Sequence, residues 1–180
     1  MANGYHRDMA RKSPAQLDHK SAEASGRGGR IFQLSRSAGG VPKLAVPEAR
    51  VGELGLEGDR QKHTKVHGGP DRALCLLSLE LIQLLQGEGH PIYPGASGEN
   101  VTVSGLAWEQ LKTGSRLALG DEVVVEFTRT ADPCKLIAPL FVARRFKRLA
   151  RPGETRWYAR VLRGGLIRVA QPVRVLIDSA

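Results

Sequence analysis

The sequence holds only two cysteines in 180 residues, Cys75 and Cys134. Two thiols cannot build the disulfide framework of a small secreted domain, and free thiols suit a reducing compartment. Aromatic residues are scarce too, at 5%. Proteins that stack nucleic-acid bases need such rings, so their scarcity argues against a nucleic-acid partner. No apolar run approaches the ~20 residues of a membrane-spanning helix. The first residues carry no apolar signal core, so the expectation is a cytoplasmic protein with no membrane partner. No P-loop, dinucleotide-binding fingerprint or nucleophile elbow occurs.

What is present is ordinary for a globular chain: 41% apolar and 25% charged residues. The length suits one domain with a core of its own. Residues 1–27 are polar, lack apolar periodicity and read as a flexible tail; the domain is expected over 28–180. Charge is unevenly placed. The net charge is +9, and residues 129–180 hold 12 basic groups against 3 acidic ones. A one-sided basic field attracts anions, although solvated surface charge explains it equally well.

The chain reads as short strands separated by turns. Strands are expected at Ile31–Ser35, Leu44–Val46, Glu48–Val51, Arg72–Leu77, Asn100–Val103, Arg116–Leu119, Glu122–Arg129, Trp157–Leu162 and Val173–Ile177. The last two are joined through Gly164-Gly165, and Gly120-Asp121 marks a hairpin turn. One helix is expected over Leu79–Gln86, capped by Ser78, with Leu81, Ile82, Leu84 and Leu85 on its apolar face. A second, amphipathic helix is expected over Lys135–Leu149, with Pro139 crowding its first turns. Many short strands with two helices predict a mainly β barrel or sandwich.

Three stretches carry chemistry. Cys134 lies in Asp132-Pro133-Cys134-Lys135, at the expected start of the second helix. A helix amino terminus and Lys135 would both favour a thiolate, which is a nucleophile and a soft metal ligand. An inert buried thiol is the plain alternative. Cys75 sits in the apolar run Ala73–Leu77 and reads as a small core hydrophobe. The loop from His63 to Arg72 contains His67, Gly68 and Gly69. Its glycines would let backbone N–H groups approach an anion, with Lys65 and Arg72 adding charge. A zinc site of His63, His67 and Cys134 lacks a fourth ligand. A tight surface turn is the simpler reading of that loop. The third stretch is Gly95-Ala96-Ser97-Gly98-Glu99-Asn100, a turn that aims an acid and an amide, or else a plain strand entry.

Taken in order, these stretches resemble the MOSC domain, related to the carboxy-terminal part of molybdenum-cofactor sulfurases, in its stand-alone bacterial form. The matching residues are Gly39–Lys43, Gly55–Arg60 with Asp59, His67–Ala73, Gly98–Val103, Gly105-Leu106, Gly120-Asp121, Pro133–Lys135 and Trp157–Leu162. The resemblance implies a closed β-barrel-like fold with a few short helices. It implies that Cys134 ligates molybdenum or carries a persulfide. It places Lys43, Asp59, His67, Gly68, Gly69, Arg72, Gly98, Glu99, Asn100 and Lys135 around a molybdenum-cofactor (molybdopterin) pocket. Full-length sulfurases add a pyridoxal-phosphate domain, which this chain does not contain, so no pyridoxal phosphate is expected.

The reading leans to an enzyme: a molybdenum-cofactor-dependent oxidoreductase acting on N-hydroxylated small molecules. The sequence has no cysteine cluster for an iron–sulfur group, so an electron-donor protein would be a partner. The second reading is a sulfur carrier that takes persulfide sulfur on Cys134 from a desulfurase protein. The third is a non-enzymatic binding module that uses the basic carboxy-terminal third.

Overall fold

The computed structural model describes residues 28–60 and 68–177. The expected tail, and the segment holding His63, Lys65 and His67, lie outside the described residues. Twelve strands are described: β1 (Gly29–Arg36), β2 (Leu44–Val46), β3 (Glu48–Gly52), β4 (Gly55–Leu56), β5 (Leu74–Ser78), β6 (Val101–Ser104), β7 (Arg116–Leu119), β8 (Val123–Ala131), β9 (Ala150–Arg151), β10 (Glu154–Arg163), β11 (Gly165–Arg168) and β12 (Pro172–Leu176). One α-helix, α1 (Leu79–Gly87), accompanies them with several 3-10 turns.

Seven strands close a barrel in the order β12-β7-β8-β10-β5-β6-β1, shut by pairing of β1 with β12. Closure leaves those seven strands without a free edge. Every neighbour in the ring is antiparallel except β5 and β6, which run parallel. A parallel pair needs a crossover rather than a hairpin. Helix α1 and the loop after it provide that crossover. Strand β2 adds to β1, and β3, β4 and β11 form a separate three-stranded sheet.

The barrel is filled because its strands alternate. In β8, Val123, Val125 and Phe127 point inward and are fully buried, while Val124, Glu126 and Thr128 are half-exposed. β-branched and aromatic side chains suit such a pleated, half-buried strand. Phe127 stacks on Trp157 at 5.2 Å and meets Trp108 edge-on at 5.8 Å. The Trp108 indole N–H donates to the Thr155 carbonyl at 2.8 Å. A second core lies outside the barrel, where Leu81, Ile82 and Leu85 of α1 pack against Ile92, Ile137, Phe141 and Leu149. Ser78 caps α1 as expected, its hydroxyl accepting from Leu81 N–H at 3.2 Å.

Two expectations fail. The helix over Lys135–Leu149 is replaced by three 3-10 turns, Lys135–Leu140, Val142–Arg144 and Phe146–Leu149. Pro139 cannot donate to a helical ladder, and Ala143 and Arg144 take left-handed φ of 52° and 56°. The apolar residues Ile137, Phe141 and Leu149 are still buried, so the spacing marked the face but not the element. Strand β11 was also unforeseen. It follows Gly164 directly and pairs with β3 in the three-stranded sheet, and its Ile167 joins the barrel's core.

Candidate functional site

The site is built where β5, the turn before β6 and the segment after β8 meet. A cavity of about 100 Å³ opens there. Its polar lining includes Lys43, Arg72, Asn100, Arg156 and Tyr158, together with the two thiols Cys75 and Cys134. Val41, Leu136 and Ile137 supply the apolar wall.

Gly95–Gly98 forms the turn that shapes one side. Gly95 has φ +86°, and a Cβ on it would lie 2.5 Å from the Lys43 carbonyl oxygen. Glycine lets this turn press onto the Lys43 backbone, whose N–H donates to the Gly95 carbonyl at 2.9 Å. Glu99 does not face the cavity. Its buried carboxylate accepts from Gly95 N–H at 2.6 Å and from the Ser97 hydroxyl at 2.7 Å. Glu99 therefore holds the turn rather than lining the cavity.

Lys43 is 8% exposed and forms an ion pair with Asp59. Asp59 also accepts from Asn100 Nδ2 at 2.8 Å and from Ser37 N–H at 2.8 Å. Its lone pairs are thereby committed to fixing Lys43 and Asn100, which line the cavity in front of it. A charge pair so far from water needs such extra hydrogen bonds to persist.

Arg156 was not foreseen. It is 6% exposed, at the start of the β10 face that looks into the cavity. Its nitrogens donate to the backbone carbonyls of Ser97, Ala131 and Asp132. The Nε atom is buried without any partner. A buried guanidinium satisfied only by carbonyls keeps its full positive charge for something in the cavity.

Arg72 ends the 3-10 turn Pro70–Arg72, which Gly69 precedes with φ +94°. The Thr128 hydroxyl fastens this turn by donating to the Asp71 carbonyl at 2.6 Å. The Arg72 guanidinium lies 6.0 Å over the Tyr158 ring. Burial pushes the Tyr158 phenol up to about 12, so it holds its proton throughout the neutral range.

The two thiols differ. Cys134 is partly exposed and precedes the six-residue turn Lys135–Leu140. The dipole of a long helix is not available to it there. Cys75 is buried as expected, but it also lines the cavity. Burial pushes its thiol up to about 11, only partly offset by Arg156. Of the other expected site residues, Gly98 lines the cavity. Gly68, Gly69 and Lys135 are not among its lining residues, and His67 lies outside the described residues. No group of three or more His, Cys, Asp or Glu residues that could hold a metal ion occurs among the described residues.

The arrangement is a closed β-barrel with a thiol-bearing, cation-rich cavity at its side. The MOSC-domain family model matches residues 63–174, and the chain belongs to the MOSC domain family. The protein YflK of Bacillus subtilis, described as uncharacterized, is 35% identical over 114 residues, which is 62% of this chain and 51% of that protein. The protein YiiM of Escherichia coli is 29% identical over 142 residues, 76% of this chain and 63% of that one. A protein of Gibberella moniliformis named "Reductase" is 33% identical over 106 residues, 56% of this chain and 19% of its own length. The chain thus spans between half and two thirds of the first two relatives and about a fifth of the third. The crystal structure of YiiM from Geobacillus stearothermophilus superposes with a TM-score of 0.68 at 23% identity, covering 83% of this chain and 75% of that one. The YuaD protein of Bacillus subtilis gives a TM-score of 0.66 at 19% identity, covering 82% and 95%. Both likenesses show the fold. Among the described residues, no helix is long and apolar enough to cross a membrane.

Proposed function

We propose that the cavity receives the molybdenum cofactor and that the protein takes part in reducing N-hydroxylated small molecules. The observation that carries this reading is the shared cavity of a partly exposed thiol, Cys134, and a buried guanidinium, Arg156, with an unpartnered Nε. The donor types along this cavity suit the group's metal and phosphate. A metal that arrives in its own organic chelator needs few protein ligands, and a soft thiolate suits molybdenum. The organic part carries a phosphate, which the unpartnered Nε of Arg156 and the cations of Lys43 and Arg72 would hold. The family and the reductase name of one partial relative point the same way.

When bound, the cofactor supplies two-electron redox chemistry. The chain's own residues do the rest. Cys134 would offer its sulfur to the metal. Val41, Leu136 and Ile137 limit water at the mouth. Conversion of N–OH to N–H and water consumes two electrons and two protons. The Tyr158 phenol, still protonated at neutral pH, is a hydrogen-bond donor on the cavity wall. The electrons would come from a reduced carrier protein.

The test is the metal and pterin content of protein made in a host that synthesises the cofactor, with wild type and Cys134→Ser side by side. Molybdenum near one atom per chain, lost in the variant, is expected. Absence from both, with a persulfide on Cys134 by intact mass, would replace this reading with the sulfur carrier.

A further inference from the structure

A second, larger cavity lies away from the thiols, at the far end of the segment that begins with Cys134. It is an open groove of about 500 Å³. Its rim consists of Arg144, Arg145, Lys147 and Arg151, all exposed. Arg148, Phe146, Glu88 and His90 complete the lining. Five cations and one carboxylate therefore face one space.

That carboxylate is already committed. Glu88 accepts from Arg148 at Nε, 2.8 Å, and at Nη2, 2.6 Å. The bidentate pair holds the Glu88 carboxyl below its ordinary range. Arg148 also pairs with Glu154. His90 accepts the Val142 N–H on its Nδ1 atom at 3.1 Å and meets the Phe141 ring at a tilt of 56°, centroids 5.0 Å apart. These contacts make a stiff floor. Leu149, next to Arg148, is fully buried in the core beneath. The four rim cations stand above that floor, and none of them forms an ion pair among the described residues.

The backbone reinforces the unusual placement. Ala143 and Arg144 are consecutive non-glycine residues in the left-handed region. Such conformations are costly for residues with a Cβ and persist where the surroundings enforce them. The turn that results brings Arg144 and Arg145 to the groove instead of leaving them on a continuous helical face. An amphipathic helix would have spread these charges over open solvent.

We infer that this groove is a binding site for a soluble, diphosphate-bearing small molecule. The volume falls within the ~300–1,000 Å³ typical of small-ligand sites. The charge is what a multiply ionised phosphate group matches, and arginine forks suit its oxygens. The half-buried Phe146 ring gives an apolar contact for the remainder of the ligand. The concave form favours a small ligand over a flat membrane surface. The site is independent of the thiol cavity and of the activity proposed for it.

The experiment is an amide chemical-shift titration of the full chain with inorganic pyrophosphate at about 50–100 mM salt, where phosphate contacts still contribute to binding. Saturable shifts at residues 143–151 and 88–90 are expected. The variant Arg144→Asn with Lys147→Ser should weaken them at least tenfold while amides near Gly98 and Asn100 keep their wild-type response. Asn is chosen because it tolerates the left-handed region. Both positions are exposed, so the fold is retained. Vesicles with anionic lipid are run in parallel. Shifts that never saturate, or that the variant keeps, would reduce the groove to bare surface charge and overturn the site. Binding to vesicles without a pyrophosphate response would overturn it in favour of a membrane contact.

Discussion

Asn100 and Cys75 hold each other twice. The Asn100 backbone N–H donates to the Cys75 carbonyl at 2.7 Å, and the Cys75 N–H donates to Asn100 Oδ1 at 3.1 Å. The remaining amide group of Asn100 donates to Asp59 and to the Ser35 carbonyl. One buried side chain thus ties β5, β1 and the Lys43–Asp59 pair together at the cavity wall.

Asn100→Ala should therefore destabilise the protein more than a loss of packing explains. It leaves the buried Cys75 N–H without an acceptor, at a cost of about 1–3 kcal/mol. It also frees one lone pair of Asp59. Urea unfolding should show a lower midpoint with an unchanged slope. A midpoint equal to wild type would mean that water replaces the amide fully.

The thiols should separate under a modest alkylating reagent at pH 7.5. Cys134 is partly exposed and Cys75 is buried, with its thiol pushed up to about 11. One label per chain, located on Cys134 by peptide mass, is expected, and a second only after unfolding. Equal labelling of both in folded protein would show that the cavity opens far more than its static form suggests.

Much of the barrel was legible because its strands alternate and its turns carry glycine. Ser78 announced α1, and β8 announced itself by Val123, Val125 and Phe127. The segment after Cys134 was not legible in the same way. Its apolar spacing fits a helix, and only Pro139 warned against one. The choice of three short turns is made by tertiary burial of Ile137, Phe141 and Leu149. In the site, Lys43, Asn100, Arg72 and Cys134 were found through glycine-marked stretches and the family likeness. Arg156 was hidden because it lies just before the expected strand Trp157–Leu162, where an arginine reads as an outward-facing residue, whereas β10 begins at Glu154 and includes it. Two faint signals existed: strand alternation places it opposite Trp157, and it belongs to the basic excess of the last third. Glu99 was read as a ligand, since sequence spacing does not reveal that its carboxylate turns back onto Gly95.

Arg156→Lys should test whether the guanidinium is kept for an anion. Lysine keeps the charge but cannot span three carbonyls in a plane. Ligand that binds only the folded state raises the melting temperature by mass action. With the groove cations removed from both proteins by Arg144→Asn and Lys147→Ser, the protein that keeps Arg156 should be stabilised by millimolar inorganic phosphate, and Arg156→Lys should need at least tenfold more for the same shift. The comparison is made within each protein, with and without phosphate, so a lower basal stability of the variant does not blur it. The same phosphate response in both would remove Arg156 from anion recognition.

Stability should fall on the alkaline side. Cys75 moves from its ordinary value of 9.0 to about 11, and Tyr158 from 10.0 to about 12, both chiefly through burial. The unfolded chain then ionises first as pH rises, so it binds fewer protons than the native state and is favoured. The Cys75 contribution is fully present below pH 9 and is lost between about 9 and 11; that of Tyr158 goes between about 10 and 12. For Cys75 the loss is on the order of 3 kcal/mol once both pKa values are passed. Unfolding free energy measured by urea at pH 8 and at pH 10.5 should show this drop in wild type. Cys75→Ala removes the buried thiol, lowers stability slightly at both pH values by leaving space, and should flatten the slope between them. An unchanged slope in that variant would place the alkaline sensitivity elsewhere, with Tyr158→Phe as the remaining contrast.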